Sequence, residues 1–243
     1  FASLRCAPVR RCRLEGNHLA GYKAPMSSLL HDQRVFWRQF RQHFVTTGSV
    51  LPSSRYLGRA LARYVGATGQ PDRVLEVGPG TGAVTSRIIG RMGAHDRLDL
   101  VELNDAFVRR LRDRFETDAV FRHVADRARV LHQPVEELAD GEPYDVIVSG
   151  LPLNNFSVEQ VEQILGVLIG LLRPGGTLSF FEYLAIRRAR ALVSGTRERA
   201  RLRGIDRALA ALLEPHEFRR DLVWRNVPPA CVHHVRLPPS GES

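Results

Sequence analysis

The chain has 243 residues, 44% hydrophobic and 25% charged, enough for one sizeable core. No apolar run approaches the roughly 18 residues needed to cross a bilayer, which excludes a membrane-spanning helix. The formal net charge of +9 points either to a polyanionic partner (nucleic acid or an anionic membrane surface) or only to an arginine-rich proteome. Three cysteines with no CxxC pair suggest neither a disulfide framework nor a zinc site, so no metal is expected and a reducing cytoplasm is the default.

Residues 1–25 have no clear period and hold five basic residues against one acidic. They read as a leader or extension ahead of Met26, and without them the charge falls to +5. A helix is expected over 28–45, where Phe36/Trp37, Phe40 and Phe44 recur at helical spacing and Arg34, Arg38 and Arg41 form a second stripe. That pattern suits a helix lying in a lipid interface, and it equally suits one packing on a sheet. Residues 26–66 are therefore read as an N-terminal helical membrane or lid segment, with a loop over 46–54 and a second helix over 55–65. From 67 to the end short strands alternate with helices. Strands are expected at 73–77, 97–102, 128–132, 144–149 and 177–183. Helices are expected at 83–92, 105–115 and 158–172, the last stopped by Arg173-Pro174-Gly175-Gly176. An arginine-rich helical stretch over 185–213 and two extended runs, 219–227 and 230–237, complete the chain. The βαβ alternation implies a parallel sheet covered on both faces, and the short Pro228-Pro229 link implies a terminal antiparallel pair, seven strands in all.

The most informative stretch is VLEVGPGTGAVT. Gly78, Gly80 and Gly82 fall between a strand and a helix, where glycines allow a tight turn and close approach of a ligand. Glu102 ends the next strand, where a carboxylate can accept both hydroxyls of a ribose, and Glu76 precedes the glycines, where it can bind a ligand ammonium. A structural glycine turn and an NAD site are the alternatives. Over about 73–183 these residues resemble the class I S-adenosylmethionine (SAM) methyltransferases. The resemblance implies a seven-stranded Rossmann-like α/β sheet with an antiparallel terminal hairpin. It also implies SAM as cofactor, with S-adenosylhomocysteine as product. Its pocket would consist of Glu76, Gly78, Gly80, Thr81, Gly82, Glu102, Leu103 and Ser149. Gln133 and Pro134 would lie near the adenine, where many members of the family carry an acid.

Related amino-methylating families place N/D-P-P-Y or N-L-P-Y after the fourth strand, the aromatic stacking on a planar base. Here the chain reads Gly150-Leu151-Pro152-Leu153-Asn154-Asn155. The proline is kept and the aromatic is Leu153, which serves a planar base poorly and an aliphatic amine on a lipid better. Together with TTGSVLPSS and NVPPACVHH, the loops look like those of soluble bacterial phospholipid N-methyltransferases. Those enzymes methylate phosphatidylethanolamine stepwise, and some relatives methylate ornithine lipids. That resemblance covers nearly all of 28–237. It implies that Gly150–Asn155, with Ser53, Ser54 and Arg55, surround the headgroup, Arg55 gripping a phosphate or carboxylate. Tyr183, or one of His233 and His234, would receive the proton of the amine, and Asn154 would orient it. The protein would then be cytoplasmic and peripheral on the inner face of the membrane. An RNA adenine N-methyltransferase and a non-catalytic SAM-fold module that binds membranes or a partner are the rival readings.

Overall fold

The computed structural model describes residues 54–138, 141–184 and 196–239. The helix expected over 28–45, with Arg34, Trp37, Arg38, Phe40, Arg41 and Phe44, lies outside the described residues, as does Ser53.

Seven strands form one sheet: β1 (Arg73–Val77), β2 (Arg97–Val101), β3 (Ala128–Leu131), β4 (Tyr144–Ser149), β5 (Leu172–Tyr183), β6 (Glu217–Val223) and β7 (Ala230–Arg236). Their spatial order is β3-β2-β1-β4-β5-β7-β6. The first five are parallel, while β7 runs antiparallel to both β5 and β6. The order reverses direction between β1 and β4, so a crevice opens beyond their carboxyl ends, where open α/β sheets bind ligands.

Each helix is set by local signals. Helix α1 (Arg55–Leu61) is capped by Ser54, whose Oγ accepts from the Leu57 N–H. Helix α2 (Thr85–Ile89) follows the glycine loop and is shorter than the expected 83–92. The preceding residues are used in the loop's turn, where the Gly82 N–H donates to the Pro79 carbonyl. Helix α3 (Asp105–Thr117) begins at Asn104, whose side chain accepts from Ala106 and Phe107, and the short α4 (Ala119–Arg122) begins at Asp118. Helix α5 (Val158–Leu171) carries a reciprocal capping box between Ser157 and Gln160. Its Val161, Ile164, Leu165, Leu168 and Leu171 share the buried stripe that a 3.6-residue period produces. Helix α6 (Thr196–His216) leads directly into β6.

One layer of core joins α1, α2 and α4 to alternate strand residues, among them Leu57, Leu61, Val74, Ile88, Leu100, Phe121, Val148 and Phe181. Residues 55–65, expected to belong to the N-terminal segment, thus share the core of the sheet.

Two strand boundaries differ from expectation for backbone reasons. Strand β5 begins at Leu172 instead of Thr177, and its pairing with β4 jumps from Tyr144↔Leu172 to Val146↔Thr177. The Arg173–Gly176 segment is extruded as a bulge, because Pro174 has no N–H to donate and Gly175 sits at φ +77°. Strand β6 stops at Val223 instead of Val227, since Trp224–Pro229 form the turn to β7.

A polar cluster is embedded in the sheet. Asp99, 3% exposed, accepts from Arg129 Nε and Nη2 (2.7 Å each), from the Tyr144 hydroxyl (2.8 Å) and from Arg73 Nη2 (3.3 Å). Burial alone would raise its pKa, yet the bonds from Arg129 and Tyr144 and the two guanidinium charges hold it below the ordinary carboxylate value. Truncating one member of such a cluster leaves its partners unsatisfied. Asp99→Ala is expected to lower the free energy of unfolding by about 2–3 kcal/mol in urea melts. It should not abolish cofactor binding, because the cluster lies apart from the glycine loop.

Candidate active site

The loops after β1 and β4 meet across the crevice. The Gly150 N–H donates to the Val77 carbonyl at 2.8 Å, and a Cβ on Gly150 would come within 2.7 Å of the Gly78 carbonyl oxygen. A Cβ on Gly78 (φ +70°) would in turn strike Leu151 Cδ2 at 2.8 Å. Only glycine at both positions permits this approach. Gly80 differs: at φ +57° it has nothing within 4 Å of its missing Cβ, so its open face is where a ligand can come up against the backbone.

Three polar side chains surround the loop. Glu102, at the end of β2, accepts from the Gly80 N–H (3.0 Å) through Oε2 and from Leu103 and Asn104 (2.9 and 2.8 Å) through Oε1. It therefore pins the loop, and of the roughly four lone-pair positions on a carboxylate it keeps one on Oε2 for a ligand hydroxyl. Burial pushes its pKa above the ordinary value, against the pull of those N–H donors. Glu76 is fully buried, and neither carboxylate oxygen has a hydrogen-bond partner. Thr85, at the start of α2, is also fully buried with an unpartnered hydroxyl. Desolvation lifts the Glu76 carboxyl to about 8, against the pull of the neighbouring Thr85 hydroxyl. Relative to an ordinary carboxylate, ionising it here costs about 5 kcal/mol, so at pH 7 without a ligand it is mostly protonated. A buried acid with no partner beside an open glycine face fits a ligand that brings a positive charge. SAM carries an ammonium and a ribose diol, matching Glu76 and Glu102 respectively.

The remaining expected residues divide by position. Thr81, Leu103, Gln133 and Pro134 are half-buried around the crevice, and Ser149 is fully buried at the end of β4. In the β4 loop Leu151 and Leu153 are buried, 5% and 1% exposed, and Asn154 is buried with its Oδ1 unpartnered. Arg201 of α6 fixes this loop: its Nη1 donates to the Phe156 carbonyl and its Nη2 to that of Asn154 (3.1 Å). Pro152 caps the 3₁₀ turn that holds Asn155. Ser54 is the cap of α1, and its N–H donates to Asn226 Oδ1 at 3.1 Å, which ties α1 to the β6–β7 turn. Arg55 is exposed and donates to the Tyr56 hydroxyl at 2.9 Å.

The structure separates the expected proton acceptors. Tyr183 packs with Phe181 on the face covered by α1 and α2. His233 alternates to the opposite face, where Nδ1 lies 2.6 Å from Glu217 Oε1 and the ring stacks on Phe180. The sheet lies between them. His233 is engaged with Glu217 and is not at the crevice with Tyr183. His234, on the Tyr183 face, is fully buried between Ser179 Oγ (2.8 Å) and Asp221 Oδ2 (3.2 Å), and desolvation pushes it down to about 4, so it is a neutral core histidine. Burial raises the Tyr183 phenol, which therefore stays protonated at neutral pH.

Sequence reasoning missed Arg201 and Arg225. Arg201 sits among many arginines of one helix, and only its contact with the β4 loop distinguishes it. Arg225 was read as part of a strand, and it turns out to donate to the same Tyr56 hydroxyl as Arg55, at 3.2 Å.

Comparison with known proteins agrees with this geometry. A family described as a methyltransferase domain matches residues 74–176. Ornithine lipid N-methyltransferase of Singulisphaera acidiphila is 32% identical over 150 residues, covering 62% of this chain and 77% of that protein. Ribosomal RNA small subunit methyltransferase A of Synechococcus sp. (strain CC9605) is 38% identical over 120 residues, covering 48% of this chain but only 38% of that protein. The fold is similar to that of the O-methyltransferase from Bacillus cereus in complex with SAH, with a TM-score of 0.58 at 16% identity over 81% of this chain and 88% of that one. With the 3-2-1-4-5-7-6 sheet, the glycine loop and the paired acids, these similarities assign the chain: it belongs to the class I SAM-dependent methyltransferases, and its cofactor is S-adenosylmethionine.

Proposed function

We propose that this enzyme methylates the amine of an aminolipid headgroup, that of phosphatidylethanolamine or an ornithine lipid, at the cytoplasmic face of a membrane. The observation that carries the reading is the β4 loop. Facing the glycine loop, it offers Leu151, Pro152, Leu153 and a buried, unpartnered Asn154 amide oxygen, and no aromatic side chain at the position of Leu153. An alkyl amine needs one hydrogen-bond acceptor in an apolar setting, and a planar base needs a stacking ring. The similarity to an ornithine lipid N-methyltransferase over 77% of its length supports the same reading. No helix among the described residues is long and apolar enough to cross a membrane, so association with lipid would be peripheral.

SAM, when bound, supplies an activated methyl on a sulfonium, which transfers in line to a nitrogen lone pair while sulfur keeps the bonding electrons. The chain's own residues bind, orient and desolvate. Glu76 takes the cofactor's ammonium, Glu102 takes a ribose hydroxyl while holding Gly80, and Thr81, Leu103, Gln133, Pro134 and Ser149 complete the wall. Asn154 Oδ1 accepts an N–H of the substrate amine and aims the nitrogen. An alkylammonium resembles lysine, so its free base at pH 7 costs about 4–5 kcal/mol, and the apolar surroundings of Leu151 and Leu153 lower that cost by disfavouring the cation. Tyr183, protonated, can orient the amine but is no base, and the proton leaves to solvent.

The alternative of RNA adenine methylation is favoured by the 38% identity to a ribosomal RNA methyltransferase, which covers 38% of that protein. Tritium from SAM is expected in the organic lipid phase of a reaction containing both mixed bacterial lipids and total RNA. Label confined to RNA would overturn the lipid reading.

The role of Glu76 gives a pH signature. Its carboxyl lies near 8 in the free protein, and an ammonium partner favours the ionised form, so cofactor binding below that pH must release a proton. SAM affinity is expected to rise by up to about tenfold per pH unit below 8 and to fall again above it, where the cofactor's own α-ammonium, with an ordinary pKa of about 7.7–8.0, loses its proton. Titration calorimetry in buffers of different ionisation enthalpy should detect close to one proton released at pH 7. Glu76→Gln should bind more weakly and without the rise below pH 8, and a wild-type profile with no slope below 8 would remove Glu76 from this role.

A further inference from the structure

On the described residues, one surface is built largely from guanidinium groups. A groove of ≈ 800 Å³ is lined by Arg59, Arg63, Arg87, Arg91 and Arg225 against a single carboxylate, Asp221. It runs between α1, α2 and β6. Asp221 is already matched by Arg63 Nε at 2.5 Å and Arg219 Nε at 3.0 Å, so it leaves the surplus positive charge in place. Arg55 and Arg225 converge on the phenol of Tyr56, which lines the groove. Their Nη atoms donate to Tyr56 Oη at 2.9 and 3.2 Å, and their guanidinium carbons lie 4.9 and 5.3 Å from its ring centroid. Among the described residues neither has an ion-pair partner. Two like charges gathered at one phenol have no counter-ion among the described residues, and a phosphate diester supplies oxygens with the geometry guanidinium prefers.

The second observation is apolar. The β6–β7 turn projects Trp224 and Val227, 69% and 73% exposed, and Leu222 at the end of β6 is 53% exposed. The bond from the Ser54 N–H to Asn226 holds this turn against α1. The turn adjoins Ala230, which pairs with Tyr183 at the carboxyl end of β5, so the patch borders the crevice. An indole at headgroup level, aliphatic side chains beside it and arginines behind it are the composition of a surface that enters a bilayer interface. RNA would answer the charge equally well and could stack a base on Trp224, but it has no use for the exposed aliphatic Leu222 and Val227 beside that indole, which a bilayer interface accommodates.

We propose that the β6–β7 turn and the arginine groove behind it form a docking surface for an anionic phospholipid bilayer, with Trp224 and Val227 in the interface and a lipid phosphate between Arg55 and Arg225. The surface deepens the aminolipid reading, on which its role in presenting substrate to the crevice rests. It is distinct from the stripe of residues 34–44.

The test uses the full chain and vesicles of phosphatidylcholine with and without phosphatidylglycerol. Wild-type protein is expected to sediment with the anionic vesicles and to be released by salt. The double variants Trp224→Ser/Val227→Ser and Arg59→Glu/Arg225→Glu should each weaken that binding by about tenfold or more while melting temperature and SAM affinity hold. The chain has two tryptophans, Trp37 and Trp224. In Trp37→Phe the remaining indole should shift its emission to the blue on anionic vesicles and be quenched by brominated lipid. The proposal is overturned by wild-type protein that ignores anionic vesicles, by double variants that bind them as tightly as wild type, or by a Trp224 emission that stays unshifted while the protein sediments. Loss of RNA binding alone in the double variants overturns it in favour of a nucleic-acid surface. Wild-type protein that binds vesicles through Trp224 yet methylates no detergent-dispersed aminolipid supports the surface and sinks the substrate reading, so the two fail separately.

Discussion

The close approach of two backbones, Val77-Gly78 after β1 and Gly150-Leu151 after β4, governs the rest of this structure. With a 2.8 Å N–H to carbonyl bond joining them and no space for a Cβ on either glycine, the loops act as one rim. That rim stands at the place where the strand order reverses, which is where an open α/β sheet forms its ligand crevice. Glu102 locks the other side of the rim through the Gly80 N–H. The site is thus preorganised by backbone contacts and one carboxylate, and it does not depend on long side chains finding their places when the ligand arrives.

Charge is distributed with a clear division. Acidic groups close to the glycine loop are buried and lifted in pKa, and Glu76 is held without a partner where a cationic ligand would relieve it. Elsewhere acids are consumed by arginines: Asp99 by Arg129 and Arg73, Asp221 by Arg63 and Arg219, Glu217 by Arg220 and His233. Among the described residues, arginines of α1, α2 and the β6–β7 turn line one groove, apart from the acids of the glycine loop. A cationic cofactor and an anionic surface can be attracted to the same molecule at separate places without competing.

The β4 loop connects these two regimes. Arg201 anchors its carbonyls from α6, which leaves the Asn154 amide oxygen buried without a partner between Leu153 and Phe156. Leu151 is needed by the packing on Gly78, so its identity serves the fold first, and Leu153 beside it is likewise buried.

By itself the sequence determined the seven-strand count and the ends of two central strands, because short apolar runs between glycine and proline punctuation leave little freedom: 73–77 and 144–149 appear in the structure with the same ends. It also determined the glycine loop with Glu76 and Glu102, since their spacing is local to one βαβ unit. Only the tertiary structure decided which of those residues meet others distant in the chain. It split Tyr183 from His233, because neighbouring strands alternate their side chains across a sheet and register cannot be read from either strand alone. It turned the Arg173–Gly176 stop signal into a bulge within β5. It also brought Arg55 and Arg225, 170 positions apart, onto one tyrosine, a pairing that no periodicity or spacing encodes because it arises from how α1 packs against the β6–β7 turn.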